Sequence, residues 1–310
     1  MMNGIVNIYK EAGPTSFATV DSVKKILGAK KAGHIGTLDP QAEGVLPVCL
    51  NKSTKIIQFL TRQSKVYTAT MVLGTATDTQ DGTGKVISQS DPGNITEDEV
   101  KEILMGFEGE QEQIPPMFSA KKKDGIPLYK LARNGITIDR NPVPIHLHWI
   151  KFLNKEEARV TFQVSCSAGT YIRTLCHDVG AKLGCGAHML YLLRNRVGDF
   201  DLGTAASLEE LKSANTGGNL DDKIQPVEEA LGFMPEIRVK RDHVESIAQG
   251  ISPRKSSLEQ WPDKIKRGMN VRVSNGNHRL IAIAESLTDQ KAFAELDPEG
   301  VAFKLKRVLI

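Results

Sequence analysis

The segment from Gly33 to Val48 restricts the backbone of this chain more than any other stretch of its sequence. Asp39 lies near its centre, between Gly36 and Gly44, and Pro40 follows it directly. Proline disfavours the helical region for the preceding residue, and glycine permits positive φ or close backbone approach. An isolated Asp-Pro pair usually marks an ordinary turn. The whole segment instead predicts a stiff loop that holds one carboxylate at a fixed angle over a cleft.

The length of the chain allows two domains, since 310 residues exceed the usual size of one. Its composition of 40% apolar and 25% charged residues is typical of soluble globular proteins. No apolar run approaches the roughly eighteen residues that span a bilayer. The N-terminal residues lack the basic, apolar and small-residue regions of a secretory signal. We therefore expect a cytoplasmic protein that does not contact membranes.

The cysteines and histidines do not form a recognisable metal-ligand pattern. Cys49, Cys166, Cys176 and Cys185 include no C-x-x-C pair, and buried free thiols are expected in a cytosolic chain. His146 and His148 fall on one side of a predicted strand, where they form a possible two-ligand clip. No third ligand follows at a usual spacing, so we predict no metal site.

Basic charge is unevenly distributed, although the net charge is only +3. Residues 236–310 contain 14 Lys+Arg against 10 Asp+Glu, and residues 117–140 contain six basic and two acidic residues. Four lysines also precede the Asp39 loop, at positions 24, 25, 30 and 31. Such patches can contact phosphates, although each can equally be an ordinary solvated face.

Apolar periodicity and capping signals predict three helices. The first covers residues 15–27, the second follows a capping box at Thr96–Glu99, and the third covers residues 170–183. In the first of these, Ser16 is the predicted N-cap, Phe17 begins the inward apolar stripe and Gly28 is the C′ residue. Alternation predicts strands over 66–73, 144–152 and 159–166, with a turn at 154–157. The polar segment 212–225 is expected to be an exposed loop. This mixture favours an α+β fold with a largely antiparallel sheet.

The last part of the chain has a different character. A short helix is predicted over residues 242–249, and Asn275-Gly276 is a hairpin signal between strands 271–274 and 280–284. A final strand is expected over 301–310. These elements predict a small β-rich C-terminal domain.

Five motifs, in order along the chain, resemble those of the TruB family of bacterial tRNA pseudouridine-55 synthases. The Asp39 segment resembles the family's catalytic-aspartate motif. The others are KVYTA (65–69), IPPMFSAK (114–121), CSAGTYIRTL (166–175), and GAH (186–188) followed by Leu192, Arg194 and Arg196. Any one glycine-rich piece would be weak evidence, but the ordered combination is specific.

This resemblance implies a pseudouridine-synthase fold over residues 1–234, with an RNA-gripping thumb insertion at about 117–140. Residues 235–310 would then form a PUA-like RNA-binding domain. The implied activity is isomerisation of uridine to pseudouridine at position 55 in the T loop of tRNA. The implied partner is tRNA, through its T arm, and we expect a monomer.

The implied reaction breaks the N1–C1′ bond of uridine and forms a C5–C1′ bond. Because no group is added or removed, the reaction demands no redox cofactor, metal or nucleotide, and we expect none. Asp39 can serve as the nucleophile toward the sugar or the base, or can remove a sugar proton. The sequence does not choose among these routes.

Arg173 is the expected companion of Asp39. It falls in the first turn of a predicted helix, where the helix dipole disfavours a cation, so a nearby anion would explain its position. The resemblance implies that this anion is Asp39. An exposed arginine paired with Asp178 or another surface acid is the alternative.

The resemblance also implies that the Tyr67 ring stacks on the target base. His34 would support the loop after that nucleotide is extruded from the stack, and Leu192 would form an apolar wall of the site. The alternatives are a core tyrosine, a loop-stabilising histidine and a core leucine.

The remaining expected substrate contacts are basic residues of the same motifs and of the thumb insertion. Leu193 occupies a position where the family often has arginine, a departure that bears on RNA contact more than on catalysis. The thumb would order on RNA binding, and a solvated loop without function is the alternative. The residues expected to bind RNA are Lys65, Lys121, Lys122, Arg133 and Arg194.

Two other functions compete with the enzyme hypothesis. A non-catalytic RNA-binding protein, acting as a tRNA-folding chaperone, would use the same surfaces without chemistry. A phosphate-binding enzyme would use Gly33–Gly44 as a cradle, but the chain lacks G-x-x-x-x-G-K-[ST] and places an acid where phosphate favours a cation.

Overall fold

The computed structural model describes residues 2–309 as an α+β protein built on two sheets. A ten-stranded sheet dominates the first three quarters of the chain, and a five-stranded sheet forms its C-terminal part. Two short two-stranded hairpins accompany the large sheet. The predicted fold class, α+β with a β-rich C-terminal part, is therefore confirmed.

The strands of the first part and its hairpins are β1 (Gly4–Lys10), β2 (Ala32–His34), β3 (Glu43–Leu50), β4 (Lys65–Leu73), β5 (Thr75–Thr77), β6 (Val86–Gln89), β7 (Gly109–Gln113), β8 (Lys122–Lys123), β9 (Ile126–Pro127), β10 (Val143–Glu156), β11 (Arg159–Cys166), β12 (Ala187–Val197), β13 (Phe200–Asp201) and β14 (Ile224–Gln225). The C-terminal strands are β15 (Glu236–Val239), β16 (Leu258–Gln260), β17 (Asn270–Ser274), β18 (Leu280–Ser286) and β19 (Phe303–Val308).

The helices are α1 (Ser16–Ile26), α2 (Ile57–Leu60), α3 (Glu97–Met105), α4 (Leu128–Arg133), α5 (Ile172–Lys182), α6 (Leu208–Gly217), α7 (Val227–Ala230), α8 (Val244–Ala248) and α9 (Gln290–Glu295). The capping box predicted at Thr96 and Glu99 starts α3. Its two reciprocal hydrogen bonds satisfy donors that the first helical turn leaves unpaired.

The large sheet has the strand order β14-β1-β3-β12-β4-β11-β10-β7, with β13 on β12 and β2 on β3. Its pairings are antiparallel except that between β3 and β12, which is parallel. This parallel contact brings the end of the Asp39 loop against Arg194, because Gly44 pairs with that residue. The sheet is thus largely antiparallel, as predicted.

One face of the central strands forms the main core. Along β4 the residues alternate between buried and half-buried, which is the pattern of a sheet covered on one side. The inward residues of β4, β11 and β10 pack with apolar residues of α3 and α5 in one cluster. Leu38, Tyr67 and Leu192 belong to the same cluster, so the predicted site adjoins the core.

The C-terminal sheet has its own core and also packs on the first part of the chain. Ile237, Val271 and Phe293 belong to a separate cluster. Leu280 and Ile283 of β18 instead join a cluster that includes Ile5 and Leu231.

The first helix differs from its prediction at its N-terminus. Thr15, not Ser16, is the N-cap, because its side chain accepts a hydrogen bond from the Ala18 amide. Phe17, predicted to point inward, is 78% exposed, whereas Val20 and Val23 are buried as expected. Ser16 takes the inward position instead and bonds to the chain at Leu38.

Two other local predictions are wrong. Residues 212–225 are not a loop throughout, because α6 extends to Gly217 after a capping box formed by Ser207 and Glu210. The turn expected at 154–157 is shorter, because β10 continues to Glu156. Within residues 2–309 there is no helix long and apolar enough to span a membrane.

Candidate active site

A cavity of about 1030 Å³ opens beside the Asp39 loop. Its lining residues come from the start of α1, the Asp39 loop, β4, the segment between β5 and β6, residues 118–120, α4, the start of α5 and the first half of β12. Its lining includes Phe17, His34, Asp39, Tyr67, Asp81, Phe118, Tyr129, Arg133, Tyr171, Arg173 and Leu192. The sequence therefore brings distant segments together around one carboxylate.

Asp39 and Arg173 form a two-point ion pair in this cavity. The Arg173 Nε atom lies 2.9 Å from Asp39 Oδ2, and Nη2 lies 3.4 Å from Oδ1. The arginine side chain is only 6% exposed, whereas that of Asp39 is 39% exposed toward the cavity. A nearly buried guanidinium thus holds the carboxylate while leaving part of it accessible. The carboxylate partners of Arg173 are Asp39 and Asp81, not Asp178.

Arg173 also connects the Asp39 loop to two further segments. Its Nη1 donates to the Thr79 carbonyl at 3.2 Å and lies 3.4 Å from Asp81 Oδ2. Its Nη2 donates to the Phe118 carbonyl at 2.9 Å, at the root of the predicted thumb. One side chain therefore fixes three loops around the cavity.

The electrostatic environment of Asp39 contains opposing influences. Burial is the largest and raises the pKa of Asp39, and the Asp81 carboxylate adds to the increase. The Arg173 guanidinium lowers this pKa, as does Lys10 to a smaller extent, but the net shift is upward. Arg173 is thus the principal group that favours the ionised carboxylate.

Lys10 anchors the loop that carries Asp39. Its Nζ atom donates to the carbonyl oxygens of Ala42 at 2.7 Å, Glu11 at 2.9 Å and Pro40 at 3.0 Å. Burial lowers the pKa of Lys10 to about 8, an effect that Asp39 opposes. The lysine therefore joins the end of β1 to the Asp39 loop through the Pro40 and Ala42 carbonyls.

Ser16 and Arg194 hold the same loop from its other sides. Ser16 Oγ accepts a hydrogen bond from the Leu38 amide and donates to the Leu38 carbonyl. Arg194 donates through Nε to the Val45 carbonyl at 2.7 Å and through Nη2 to the Gly36 carbonyl at 3.0 Å. Both glycines predicted to need unusual backbone have positive φ, and a Cβ at Gly44 would collide with the Arg194 backbone.

Replacing Lys10 with methionine is expected to destabilise the folded state. The substitution retains most of the apolar stem but leaves the Ala42 and Pro40 carbonyls without their charged donor. Hydrogen bonds to charged groups contribute about 1.5–3 kcal/mol, so the free energy of unfolding should fall by about that amount. Urea denaturation followed by circular dichroism measures it, with the exposed Lys52→Met as control. Equal stability of Lys10→Met and wild type would contradict this role.

Three predicted site residues form the wall of the cavity near Asp39. Tyr67 and Leu192 are buried and His34 is half-buried. The pKa of His34 is lowered mainly by burial and to a smaller extent by the nearby Arg194 charge. The Nδ1 atom of His34 is buried and has no hydrogen-bond partner. Burial raises the pKa of Tyr67. Both side chains are therefore favoured in their neutral forms.

Two residues expected to contact RNA lie elsewhere. Lys65 is 6% exposed and donates to the Thr61 and Gln63 carbonyls, and burial lowers its pKa to about 8. Arg194 is 1% exposed and does not line the cavity. Because their donors are directed at internal carbonyls, these side chains support the loop and its flanks rather than face a ligand.

The other three basic residues predicted to contact RNA lie in the predicted thumb and are exposed. The thumb contains the β8–β9 hairpin followed by α4, and Lys121 and Lys122 are exposed outside the cavity lining. Arg133 lines the cavity, with its guanidinium 5.5 Å from the centre of the Tyr129 ring. Of the five basic residues predicted to contact RNA, Arg133 is the one that lines the cavity.

Lys10, Asp81 and Gln113 were not predicted from the sequence to belong to the site. Gln113 is buried and forms two hydrogen bonds with the backbone of Tyr171, the residue before α5. It therefore fixes the helix start that presents Arg173. Asp81 and Gln113 are ordinary loop and edge-strand residues by type, so no local signal distinguishes them. Lys10 ends a strand whose other residues are buried except Tyr9, and the apolar character of that strand was the available signal for its burial.

Metal and thiol chemistry receive no support from the described residues. Between residues 2 and 309, no group of three or more His, Cys, Asp or Glu side chains is arranged to hold a metal ion. His146 and His148 do lie together, with ring centres 4.7 Å apart. All four cysteines are buried, as predicted, and burial raises the pKa of the Cys166 thiol to about 11.

Comparisons with known proteins point to one family. Residues 24–172 match the TruB family pseudouridylate synthase N-terminal domain, and residues 173–232 match the tRNA pseudouridylate synthase B C-terminal domain. A tRNA pseudouridine synthase B from Geobacter sulfurreducens is 42% identical over 92% of this chain and 94% of its own length. One from Syntrophotalea carbinolica is 44% identical over 81% of this chain and 82% of its own length.

Solved structures agree with this assignment. A chain in the crystal structure of a Cbf5–Nop10–Gar1 complex is 31% identical and superposes with a TM-score of 0.81, covering 99% of this chain and 85% of that chain. A chain of an H/ACA RNP bound to a substrate RNA containing 2'-deoxyuridine gives 30% identity and a TM-score of 0.78, with the same coverage. From its fold, its site geometry and these relatives, the chain belongs to the TruB family of pseudouridylate synthases.

Proposed function

We propose that this protein isomerises uridine to pseudouridine at position 55 in the T loop of tRNA, with Asp39 as the reacting group. The relatives named tRNA pseudouridine synthase B support tRNA pseudouridine synthase activity, since they are 40–44% identical over most of the chain. The position in tRNA and the residue roles are our proposals.

The ion pair between Asp39 and Arg173 is the observation that carries the assignment of roles. The reaction needs one accessible group that can attack the sugar or base, or remove a sugar proton. Asp39 meets this need because its carboxylate is exposed to the cavity while Arg173 favours its charged form. No donor or acceptor of electrons is required, since the uridine atoms are only rearranged.

The walls of the cavity suit a nucleotide that has left its stack. The reacting bond is inaccessible within a stacked helix, and extruding the nucleotide costs a few kcal/mol. Tyr67 would stack on the target base, Leu192 would exclude water, and neutral His34 would support the loop after extrusion. The shifts toward neutral His34 and Tyr67 support this arrangement, because uncharged walls suit an uncharged uracil ring.

The remaining surfaces suit a polyanionic partner. We propose that residues 117–140 act as a thumb on the T arm, with Arg133 inside the cavity and Lys121 and Lys122 on phosphates. We also propose a catalytic domain over residues 1–234 and a PUA-like RNA-binding domain over 235–310. The separate five-stranded sheet that begins at Glu236 supports that boundary. The proposed working form is a cytoplasmic monomer.

Incubation with an unmodified T-arm stem-loop tests the proposed function. The full chain should convert the target uridine to pseudouridine at the position equivalent to 55, as shown by chemical mapping of the product. A stem-loop with cytidine at that position is the control and should remain unmodified. Binding without any pseudouridine would support the chaperone hypothesis instead. Modification at another uridine would refute the proposed position.

Changing Asp81 to asparagine is expected to lower kcat by about tenfold. The change weakens the ion pair between Asp81 and Arg173, which helps to position the Arg173 guanidinium beside Asp39. An amide can still accept the hydrogen bonds that Asp81 Oδ1 takes from Thr79 and Thr83, but it lacks the charge beside Arg173. Single-turnover pseudouridine formation measures the effect. Asp78→Asn is the matched control, because Asp78 caps the Lys85 amide in the same loop without contacting Arg173. An unchanged kcat would show that the second carboxylate is dispensable.

A further inference from the structure

Phe17 is an aromatic side chain at the cavity that the reaction mechanism does not use. At 78% exposure it is the most exposed of the large apolar side chains described between residues 2 and 309. It lines the same cavity as Asp39. The sequence pattern predicts that it packs inward, yet Ser16 takes that place in the fold. An exposed aromatic ring at a ligand cavity is more informative than an isolated apolar residue on an open surface.

The position of Phe17 is fixed relative to the reacting carboxylate. Ser16 Oγ bonds to both the amide and the carbonyl of Leu38, the residue before Asp39. Thr15 caps the same end of α1 through the Ala18 amide. These contacts tie the first turn of α1 to the catalytic loop. The backbone that carries the phenyl ring is therefore held in place before a ligand arrives, which reduces the entropy cost of binding.

We propose that Phe17 is a stacking platform for an unpaired nucleotide next to the target uridine, within one or two positions of it. This inference rests on the proposed function. When the target nucleotide leaves the stack, its neighbours lose a stacking partner, and an exposed phenyl ring can replace it. Single-stranded nucleotides are commonly bound by stacking on aromatic side chains, with little dependence on the base.

RNA is the occupant that the surroundings favour. Phe17 shares one continuous cavity with the residues assigned to the target uridine and with Arg133 of the thumb. An apolar protein partner placed on Phe17 would obstruct this cavity, whereas a nucleotide of the same loop extends the substrate already proposed to occupy it. Phe17 thus adds a second base-binding position to the site, separate from Tyr67.

The test compares variants that leave the fold intact. Phe17→Ala, Phe17→Leu and Phe17→Trp change an exposed side chain on a helix, where alanine and leucine are good helix formers. Met105→Ala is the matched control, because Met105 is 60% exposed on α3 and does not line the cavity. Thermal unfolding of each variant verifies that Tm is unchanged. The substrate is the unmodified T-arm stem-loop, with 2-aminopurine placed on either side of the target uridine.

We expect Phe17→Ala to raise the Kd for the stem-loop about 5- to 100-fold, while kcat at saturating RNA changes less than threefold. The wild type should quench 2-aminopurine at one flanking position, and Phe17→Ala should lose this quenching. Tryptophan should restore both readouts. Leucine should restore neither fully, because it is apolar but not planar. Met105→Ala should match the wild type.

Several results would overturn the inference. A Kd for Phe17→Ala within twofold of the wild type would do so, as would quenching that is the same in both proteins. Full recovery by leucine would indicate an apolar contact without stacking. These outcomes, seen with an active wild type, leave the proposed function standing. A wild type that neither binds nor modifies the stem-loop would remove both proposals together.

Discussion

Asp39→Asn is expected to lower pseudouridine formation by at least about 10³-fold while leaving tRNA binding within about tenfold of the wild type. The amide has nearly the same shape as the carboxylate but is a poor nucleophile and a poor base. The fold should persist, because Arg173 keeps its hydrogen bonds to the Thr79 and Phe118 carbonyls and its pairing with Asp81.

Single-turnover assays on the T-arm stem-loop, together with filter binding, measure the two quantities separately. Asp98→Asn is the control, because the Asp98 side chain is 96% exposed on α3 and lies outside the cavity. It should retain wild-type activity within twofold. Product formation by Asp39→Asn at a rate near that of the wild type would refute the assigned role. An inactive wild type with intact binding would favour the RNA-binding alternative.

Arg173→Ala is expected to lower kcat by about 10²–10⁴-fold at neutral pH and to destabilise the fold. The substitution removes the guanidinium from two carboxylates and leaves two carbonyls without their donor. The free energy of unfolding should fall by about 2–4 kcal/mol, somewhat less than for a fully buried pair because Asp39 is partly exposed.

The pH dependence of the Arg173 variants has a defined sign. Arg173 lowers the pKa of Asp39 against the larger effect of burial, so its removal raises that pKa further. Because the proposed reaction needs the ionised Asp39 carboxylate, activity should be lost as pH falls through this pKa. The acidic limb of the kcat profile should therefore move to higher pH in Arg173→Ala, and raising the pH should recover part of the activity.

Arg173→Lys should show a smaller shift, because it keeps the charge but not the two-point geometry. Profiles of kcat against pH for both variants, the wild type and the exposed control Arg62→Ala provide the comparison. An acidic limb that stays in place, or moves to lower pH, would show that Arg173 does not control the ionisation of Asp39. A kcat for Arg173→Ala close to that of the wild type would remove Arg173 from the mechanism.

The sequence alone determined features that depend on short stretches of chain. The capping box at Thr96 starts a helix because its hydrogen bonds join residues only three apart. Gly36 and Gly44 adopt positive φ, and the strand at 65–73 alternates, because these properties follow from local sterics and periodicity. The ordered motifs also indicated the family, which the comparisons then showed.

Tertiary structure alone decided which charged groups meet and which are buried. Arg173 pairs with an aspartate 134 residues away rather than with Asp178 nearby, and only the folded sheet brings that partner into reach. Lys65 and Arg194 have the residue type of phosphate contacts, yet packing directs their donors to internal carbonyls. Phe17 shows the converse, an apolar residue kept outside because Ser16 bonds to the loop. Residue type fixes what a side chain can bind, but long-range packing fixes what lies within its reach.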